Sequence, residues 1–327
     1  MGRVVLVTGV ARDLGSRLAR RLAVTPGIDK VVGLDVQPPP GDIHGIKYVR
    51  ADIRTPVVGK VLAVEDVDTV VHMNVGAPQR QLGSRSAVKE INVIGTMQLL
   101  AACQNSRTVE RLVVQSSTAV YGTSARNPAM FTEHTPSRSV AGSGFPKDAV
   151  DIEAYVRGFG RRRPDVTIAT FRLGNVLAAD VLGPFSEYLQ LPVLPAMLGY
   201  DPRLQFLHPF DALNVLSLAA TGDVTGTYNV VGPQVLALSQ AARRLGRPLL
   251  RLPSVGFNSV TQRMVRMMSS DFTPELARLF KYGRVCDGSK LERELGYEML
   301  YSTPQTLDAF AETIEPGVLS AMGGTRV

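Results

Sequence analysis

The chain has few of the residues that build disulfide frameworks, metal sites or aromatic surfaces. Its 327 residues include two cysteines, no tryptophan and only 6% aromatic residues. The cysteines, Cys103 and Cys286, supply neither a disulfide framework nor a set of metal ligands. The scarcity of aromatic side chains argues against a stacking surface for nucleic acid. We therefore expect no metal and no nucleic-acid partner.

Long hydrophobic runs are also missing. No apolar stretch approaches the roughly 18 residues that a membrane helix needs, and no signal peptide precedes the first predicted strand. These absences favour a soluble, cytoplasmic protein without a membrane partner. The net charge is +7, but the basic residues are scattered, apart from Arg161, Arg162 and Arg163. This run ends a predicted helix, where positive charge is favourable, so we interpret it as a solvated helix end.

Alternating strands and helices fill the first half of the chain. This order is typical of an α/β fold, a doubly wound parallel sheet covered by helices on both faces. A hydrophobic content of 45% is ample for such a core. The predicted strands are 3–8, 31–35, 46–50, 68–73, 110–116 and 166–171, and the predicted helices are 14–24, 55–63, 84–105 and 146–160.

The pattern loosens after residue 174, where prolines break up the stretch from 181 to 203. A strand at 204–207, a helix at 210–221, a strand at 226–231 and several helices to about residue 315 follow. We expect residues 1–174 to form a nucleotide-binding core that carries part of the substrate site. Residues 175–327 are expected to form mainly a smaller substrate lobe, with some segments returning to the core.

The turn after the first strand has a dinucleotide-binding pattern of the Rossmann type. Thr8 and Gly9 follow four buried apolar residues, and a helix pattern begins at once. Gly9 allows a tight turn, and Gly15 allows the helix and the strand to approach closely. The first helical residues, Asp13 and Leu14, are expected to offer backbone N–H groups to a pyrophosphate.

The same turn departs from the usual glycine-rich string. Arg12 stands where the middle glycine is expected, and Asp13 fills that place in the alternative spacing. Arg12 can hold either the pyrophosphate or a 2′-phosphate, whereas Asp13 should point away from a pyrophosphate. Asp35, which closes the next strand, can accept hydrogen bonds from the ribose hydroxyls. Because its carboxylate would repel a 2′-phosphate, we expect NAD rather than NADP.

The order of motifs resembles the extended short-chain dehydrogenase/reductase family, specifically its NAD-dependent epimerase/dehydratase group. The resemblance covers roughly residues 3–315. Its marks are Thr8 and Gly9 with Gly15, Asp35, Asp52 with Ile53, and the segments 70–75, 92–96, 116–122, 172–176, 206–211 and 287–296.

The resemblance implies further cofactor contacts. Asp52 and Ile53 would meet the adenine, and the segment Asn74, Val75 and Gly76 would border the pyrophosphate and ribose. Asn92 would lie on the helix 84–105 near the cofactor, although a buried amide bonded to backbone is an equally good interpretation. His72, inside an apolar strand, is better interpreted as a core histidine than as a catalytic one.

The same resemblance gives Ser117 the place of the Ser or Thr that bonds the reacting hydroxyl or carbonyl. A hydroxyl that caps the strand end is the alternative. Thr118 and Ala119 stand where sugar dehydratases carry acidic residues. Neither can act as a general acid or base, which argues against a 4,6-dehydratase.

The larger departure concerns the family's Tyr-x-x-x-Lys pair. Lys147 is present and would hold the nicotinamide ribose, but Ser143 stands where the tyrosine belongs. An alcohol is a poor proton donor to an alkoxide at neutral pH. Three replacements stay open: Tyr121, His134 in the loop 131–136, or Ser117 acting through a water.

Substrate contacts are implied less strongly. Asn175 matches an asparagine that contacts the nucleotide sugar in relatives, and Arg203 lies one residue away from a phosphate-clamping arginine. We place His134 with this group. Relatives dimerise through two long helices, which here would be 84–105 and 146–160, so the resemblance also implies a homodimer.

Three functions remain open at this point. The first is NAD-dependent hydride transfer on a secondary alcohol or ketone, with a nucleotide sugar as one candidate substrate. The second is a catalytically silent dinucleotide-binding sensor or scaffold, which the replaced tyrosine would fit equally well. The third is a structural protein without a dinucleotide, suggested by Arg12 and Asp13 in the glycine turn.

Overall fold

The structure is a computed structural model of the chain. It describes residues 2–41, 43–75, 85–137, 144–181, 183–266, 273–317 and 319.

A seven-stranded parallel sheet forms the centre of the molecule, as the sequence predicts. Its strand order is β11-β6-β5-β4-β1-β2-β3, and every neighbouring pair is parallel. The strands, numbered in chain order, are β1 (Arg3–Thr8), β2 (Ile28–Asp35), β3 (Ile46–Arg50), β4 (Thr69–His72), β5 (Arg111–Ser117), β6 (Thr167–Leu173) and β11 (Gly226–Val230). The carboxyl ends of β1, β2 and β4 lie side by side at one edge of the sheet, which is where open sheets bind ligands.

Helices cover both faces of this sheet. They are α1 (Asp13–Ala23), α2 (Val57–Val64), α3 (Arg85–Lys89), α4 (Gly95–Asn105), α5 (Phe145–Arg162) and α7 (Pro209–Thr221). The helix between the last two in the chain, α6 (Pro184–Gln190), packs in the C-terminal lobe instead. A π-helical segment, Glu90–Ile94, joins α3 to α4, so the single helix predicted over 84–105 is interrupted. A short 3-10 helix, Thr118–Tyr121, follows β5.

The C-terminal half adds short strand pairs and more helices. The strands are β7 (Asn175–Val176), β8 (Leu194–Met197), β9 (Arg203–Leu204), β10 (Phe206–Leu207), β12 (Leu236–Ala237) and β13 (Leu249–Leu252). The helices are α8 (Leu238–Arg244), α9 (Ser254–Arg266), α10 (Pro274–Tyr282), α11 (Ser289–Leu295) and α12 (Thr303–Thr313). Two segments of this half belong to the core: α7 packs on the central sheet, and β11 is the edge strand of that sheet.

Both faces of the sheet are buried, because helices pack against the side chains that point to each face. Val5 and Val7 of β1 pack with α1 and α7 on one face, whereas Leu6 packs with α2, α4 and α5 on the other. Because successive side chains point to opposite faces, a strand covered on both sides reads as a continuous apolar run. A third apolar cluster, including Tyr188 and Phe280, forms the centre of the C-terminal lobe.

A buried polar network ties the sheet to α5. Arg172 of β6 and Glu153 of α5 form a two-point ion pair with N–O distances of 2.9 and 2.7 Å. The Ser116 hydroxyl donates to the same carboxylate at 2.7 Å, and Arg172 donates to the Tyr121 hydroxyl at 2.8 Å. Tyr121 in turn donates to Asn229 at 2.7 Å. The network therefore fixes the ends of β5, β6 and β11 relative to α5.

We expect Glu153→Gln to destabilise the fold by about 3–5 kcal/mol, because it leaves the buried Arg172 cation without its counter-charge. The two side chains are only 3% and 7% exposed. Asp308→Asn is the matched control, since it breaks the Arg244–Asp308 pair, which is 38% and 50% exposed, and should cost about 0–1 kcal/mol. Chemical denaturation measures both. Equal, small losses would contradict the structural role of the network.

Candidate functional site

Two glycines shape the turn between β1 and α1. Gly9 has a φ of +75°, and a Cβ on it would lie 3.0 Å from the backbone of Met73. A Cβ on Gly15 would lie only 2.2 Å from the carbonyl oxygen of Gly9. Glycine at both positions therefore allows the first turn of α1 to rest directly on the end of β1.

The N-terminus of α1 opens at this turn. Its N-cap residue, Arg12, has an extended backbone and makes no capping hydrogen bond with its side chain. The first-turn N–H groups, which include those of Asp13 and Leu14, thus have no side-chain acceptor at the N-cap. Such a helix end favours an anion.

The two charged residues of the turn behave differently. The Asp13 carboxylate accepts a hydrogen bond from Arg17 Nε at 3.1 Å and so turns along the helix, although burial still raises the pKa of Asp13. Burial lowers the pKa of the Arg12 guanidinium, and the nearby Asp35 carboxylate opposes that shift. Arg12 therefore places a cation close to Asp35.

Asp35 ends β2 beside the glycine turn. Its carboxylate accepts hydrogen bonds from the backbone N–H of Ala11 at 3.1 Å and of Val36 at 2.7 Å. Tyr48 donates to the Asp35 carbonyl at 3.1 Å. These contacts hold the carboxylate at the edge of the cleft.

Below this cleft, His72 lies in a chain of hydrogen bonds whose directions can be assigned. The Thr96 hydroxyl donates to the Asn92 carbonyl, so it must accept from His72 Nε2, 2.8 Å away. His72 Nδ1 then accepts from the Thr8 hydroxyl at 2.9 Å, and Thr8 accepts from the Met73 N–H at 3.2 Å. One neutral tautomer satisfies every group.

His72 is therefore a core histidine. Burial, with a smaller contribution from the Arg12 charge, lowers its pKa to about 3. Thr8 serves this network with its side chain, so its hydroxyl is engaged within the protein.

The other residues implied to contact the cofactor follow the carboxyl ends of β3 and β4. Asp52 pairs with Arg54 through two close N–O contacts, of 2.7 and 3.0 Å, and this hydrogen bonding lowers the pKa of Asp52. Ile53 is buried. Asn74 is also buried, and its Oδ1 has no partner among the described residues. The Val75 carbonyl accepts from Gln115 at 3.0 Å; Gly76 lies outside the described residues.

Asn92 is fully buried inside the π-helical segment that joins α3 to α4. Such single-turn π segments occur frequently at functional sites. Its carbonyl is part of the His72 chain, so Asn92 braces the floor of the cleft whichever interpretation of its amide holds.

Among the described residues, Ser117 and Lys147 are the catalytic candidates that the sequence places at the strand and helix ends. Ser117 ends β5, and its oxygen accepts from the Ala119 N–H at 3.2 Å, which leaves the hydroxyl hydrogen available to donate. Lys147 lies in the first turns of α5, is 46% exposed, and is 3.4 Å from the Asp151 carboxylate. Ser143 lies outside the described residues.

Tyr121 is placed in the core rather than in the cleft. It is 1% exposed, stacks on Phe131 with ring centroids 4.7 Å apart, and uses its hydroxyl both as donor and as acceptor. Burial raises its pKa to about 12, which is the wrong direction for a proton donor near neutral pH. This geometry removes Tyr121 from the candidate proton donors.

The substrate candidates are spread over three segments. His134 is exposed in its loop. The Asn175 amide donates to the Gln205 carbonyl at 3.2 Å, and Arg203 donates to the Ala129 carbonyl at 2.7 Å. Arg203 also lines a cavity with Arg284. Sequence reasoning missed Arg284, because none of the quoted motifs includes it.

Within the described part of the chain, no helix is both long and apolar enough to cross a membrane. The same residues bring together no group of three or more histidine, cysteine or carboxylate side chains that could hold a metal ion.

Comparison with known proteins gives a consistent picture. Residues 5–230 match the model of the NAD dependent epimerase/dehydratase family. An uncharacterized protein of Mycobacterium tuberculosis is 41% identical over 312 residues, which cover 94% of this chain and 83% of that protein.

Solved structures show the same fold. WbmH of Bordetella bronchiseptica, in complex with NAD+, has a TM-score of 0.72 at 18% identity, covering 95% of this chain and 98% of that one. UDP-glucose 4-epimerase of Thermotoga maritima, with UDP-glucose, has a TM-score of 0.71 at 16% identity, covering 94% and 97%.

The low pKa of His72 predicts a specific pH dependence of stability. Between pH 6.5 and about 3 the unfolded chain binds a proton at residue 72 that the folded chain does not. The free energy of unfolding should therefore fall as the pH falls below 6.5. From pH 6.5 to 4.5 this group alone should remove about 2 kcal/mol.

We expect His72→Gln to abolish this part of the loss, measured as the difference between unfolding free energies at the two pH values. The difference, rather than the absolute stability, is the readout, because the substitution also disturbs Thr8 and Thr96. An identical loss in both proteins would contradict a buried neutral histidine.

Proposed function

Because the chain belongs to the NAD-dependent epimerase/dehydratase family, we propose that it binds NAD at the strand ends of β1, β2 and β4 and transfers hydride to or from a secondary alcohol or ketone. The observation that carries this proposal is the fit of Gly15 against the Gly9 carbonyl, with Asp35 beside them. That arrangement leaves a helix N-terminus open to a pyrophosphate and a carboxylate facing the place of the ribose.

The residues present suit NAD better than NADP. The Asp35 carboxylate is held by three backbone N–H groups, those of Ala11, Val36 and Gln37, and retains a lone pair for the ribose hydroxyls. A 2′-phosphate would face this carboxylate. Arg12 offers the opposing charge, and we place it against the pyrophosphate, since the N-terminus of α1 begins at the same residue.

NAD, when bound, supplies the acceptor or donor of hydride. The chain's own residues orient the substrate: Ser117 has a hydroxyl hydrogen free to donate to the reacting oxygen, because its oxygen already accepts from Ala119. Lys147, on the exposed face of α5, is in the family's position for holding the nicotinamide ribose.

A silent, NAD-binding sensor or scaffold is the second candidate. One specific observation favours it: Ser143 replaces the tyrosine that exchanges the proton, while the buried Tyr121 is already engaged on both sides of its hydroxyl. The remaining candidate proton donors are His134, which is exposed in its loop, and Ser117 acting through a water.

A nucleotide sugar is a candidate substrate, because a protein of the same fold is solved with UDP-glucose; Asn175 and Arg203 would lie on the substrate side. A homodimer through the segment 90–105 and α5 is supported by exposed apolar side chains on both, namely Ile94 of the π-helical segment, Met97 of α4 and Tyr155 of α5.

Thermal stabilisation tests the cofactor proposal. We expect NAD and NADH, but not NADP and NADPH, to stabilise the protein, by about 2.7 kcal/mol at a hundredfold excess over the dissociation constant. Asp35→Asn should narrow the difference in stabilisation between NAD and NADP, because it removes the carboxylate charge that repels the 2′-phosphate. Asp29→Asn, exposed at the other end of β2, is the matched control. No stabilisation by any of the four nucleotides would refute the proposal.

The variant Ser143→Tyr distinguishes the enzyme from the silent protein. Restoring the family's tyrosine should create or raise NAD-dependent turnover on a panel of secondary alcohols and nucleotide sugars, followed by NADH absorbance. Adding Lys147→Ala should abolish the gain. If turnover exists in the native protein and falls in the variant, another group donates the proton and the bulky ring blocks it.

A further inference from the structure

A carboxyl group of the C-terminal lobe reaches the end of α5 where the family's tyrosine is missing. Gly144, the N-cap residue of α5, directly follows Ser143 in the chain. A Cβ on Gly144 would collide with Glu275 Oε1 and would lie 2.9 Å from the Glu275 carboxyl carbon. The Glu275 carboxyl group therefore contacts the Gly144 backbone, one residue along the chain from the replaced tyrosine.

Helix α10 fixes the backbone of Glu275. The Thr273 hydroxyl caps this helix by accepting from the Leu276 N–H at 3.3 Å. On the inner face of α10, Phe280 packs against Tyr188 with ring centroids 3.8 Å apart. Glu275 thus projects from an anchored helix rather than from a loop, and its side chain is half-buried.

The segment after α10 is attached to the core beside α5. Phe131 donates its N–H to the Val285 carbonyl at 2.8 Å, and its ring stacks on Tyr121 of the 3-10 helix. Ala149 of α5 packs in the same apolar cluster as both rings. The contact between Glu275 and Gly144 is therefore part of a joined surface between the lobe and the first turns of α5.

Two catalytic candidates lie at this end of α5. Lys147 is in the first turns, where its backbone N–H donates to the Gly144 carbonyl at 3.1 Å. Ser117 is the N-cap residue of the 3-10 helix, against which α5 packs. Glu275 thus comes from the other half of the molecule to the region where the reacting hydroxyl or carbonyl would be held.

The Glu275 carboxylate has lone pairs available. It forms no ion pair or hydrogen bond with any described residue, and Lys147 instead pairs with Asp151 on its own helix, 3.4 Å away. Glu275 lies at the N-termini of both α10 and α5, and both helix ends favour a negative charge. A charge that only stabilises these helix ends is the competing interpretation.

We propose that Glu275 is the catalytic residue that exchanges a proton with the substrate oxygen, in place of the missing tyrosine. In the oxidative direction the carbinol carbon gives its hydride to oxidised NAD, the hydroxyl gives its proton to a Glu275 carboxylate oxygen, and the C–O bond becomes a carbonyl. Reduction returns the hydride from NADH and the proton from Glu275. Positioned carboxyl groups act as general bases and acids of this kind. This inference rests on the proposed function, because it names the proton-exchanging group of that reaction.

The relative affinity for oxidised NAD and NADH locates the carboxylate without any turnover. The nicotinamide ring is a cation in oxidised NAD and neutral in NADH, so a carboxylate beside it favours the oxidised form. We expect Glu275→Gln to lower the ratio of the two affinities about fivefold, measured calorimetrically, and Glu275→Asp to keep most of that ratio. Glu312→Gln, which removes an exposed charge of α12, is the matched control and should leave the ratio unchanged. A charge that only stabilised the helix ends would change both affinities equally.

Turnover on the panel of secondary alcohols and nucleotide sugars tests the proton transfer itself. Glu275→Gln should lower kcat about 10²-fold or more, with little change in the KM for NAD. Adding Ser143→Tyr to this variant should recover part of the loss, because the family's tyrosine then exchanges the proton. If Glu275→Gln does not fold, Glu275→Asp gives the same test, because its shorter side chain keeps the charge but withdraws it from the substrate oxygen.

The inference is overturned if Glu275→Gln keeps the native affinity ratio or the native turnover. Either result, in a protein that binds NAD and turns over substrate, refutes the role of Glu275 while the proposed function stands. A native protein that binds NAD but turns over no member of the panel is the silent protein, and this result overturns the inference together with the hydride transfer. Failure of the native protein to bind either form of NAD refutes the proposed function itself.

Discussion

The cofactor end of this molecule depends on one close contact, that of α1 with the turn after β1. A side chain on Gly15 would collide with the Gly9 carbonyl, and one on Gly9 would press on Met73. Only with both glycines can the helix N-terminus lie over the strand ends. Asp35 and the buried His72 then take fixed places around the opening, since both bond to groups of this turn or of β1.

The fold and the cofactor turn could be predicted because their signals are local. Strands buried on both faces are continuous apolar runs, and the glycine spacing requires only adjacent residues. Distant contacts could not be read in this way. The buried place of Tyr121 depends on Arg172 and Asn229. The cavity that Arg203 lines with Arg284 depends on the close contact between the backbones of Gly283 and Arg203, which are remote in the sequence. The interruption at Glu90–Ile94 also had no sequence signal.

Two departures of the sequence from the family pattern have different consequences. Arg12 replaces a glycine without closing the turn, because its backbone is extended and its side chain makes no capping hydrogen bond at the helix N-terminus. Ser143 replaces the proton-exchanging tyrosine, and Tyr121 does not compensate for it, since it is held in the core. The residues that we propose for the cofactor are therefore present, whereas the family's proton-exchanging tyrosine is absent. This pattern fits both a silent protein and an unusual enzyme.

Hydrogen exchange with and without NAD would show whether the β1–α1 turn holds the dinucleotide. NAD should slow the exchange of the backbone amides over residues 9–16 and around Asp35. Exchange in α12, in the C-terminal lobe, should stay unchanged. Protection confined to other segments, or no protection at saturating NAD, would contradict this placement of the dinucleotide.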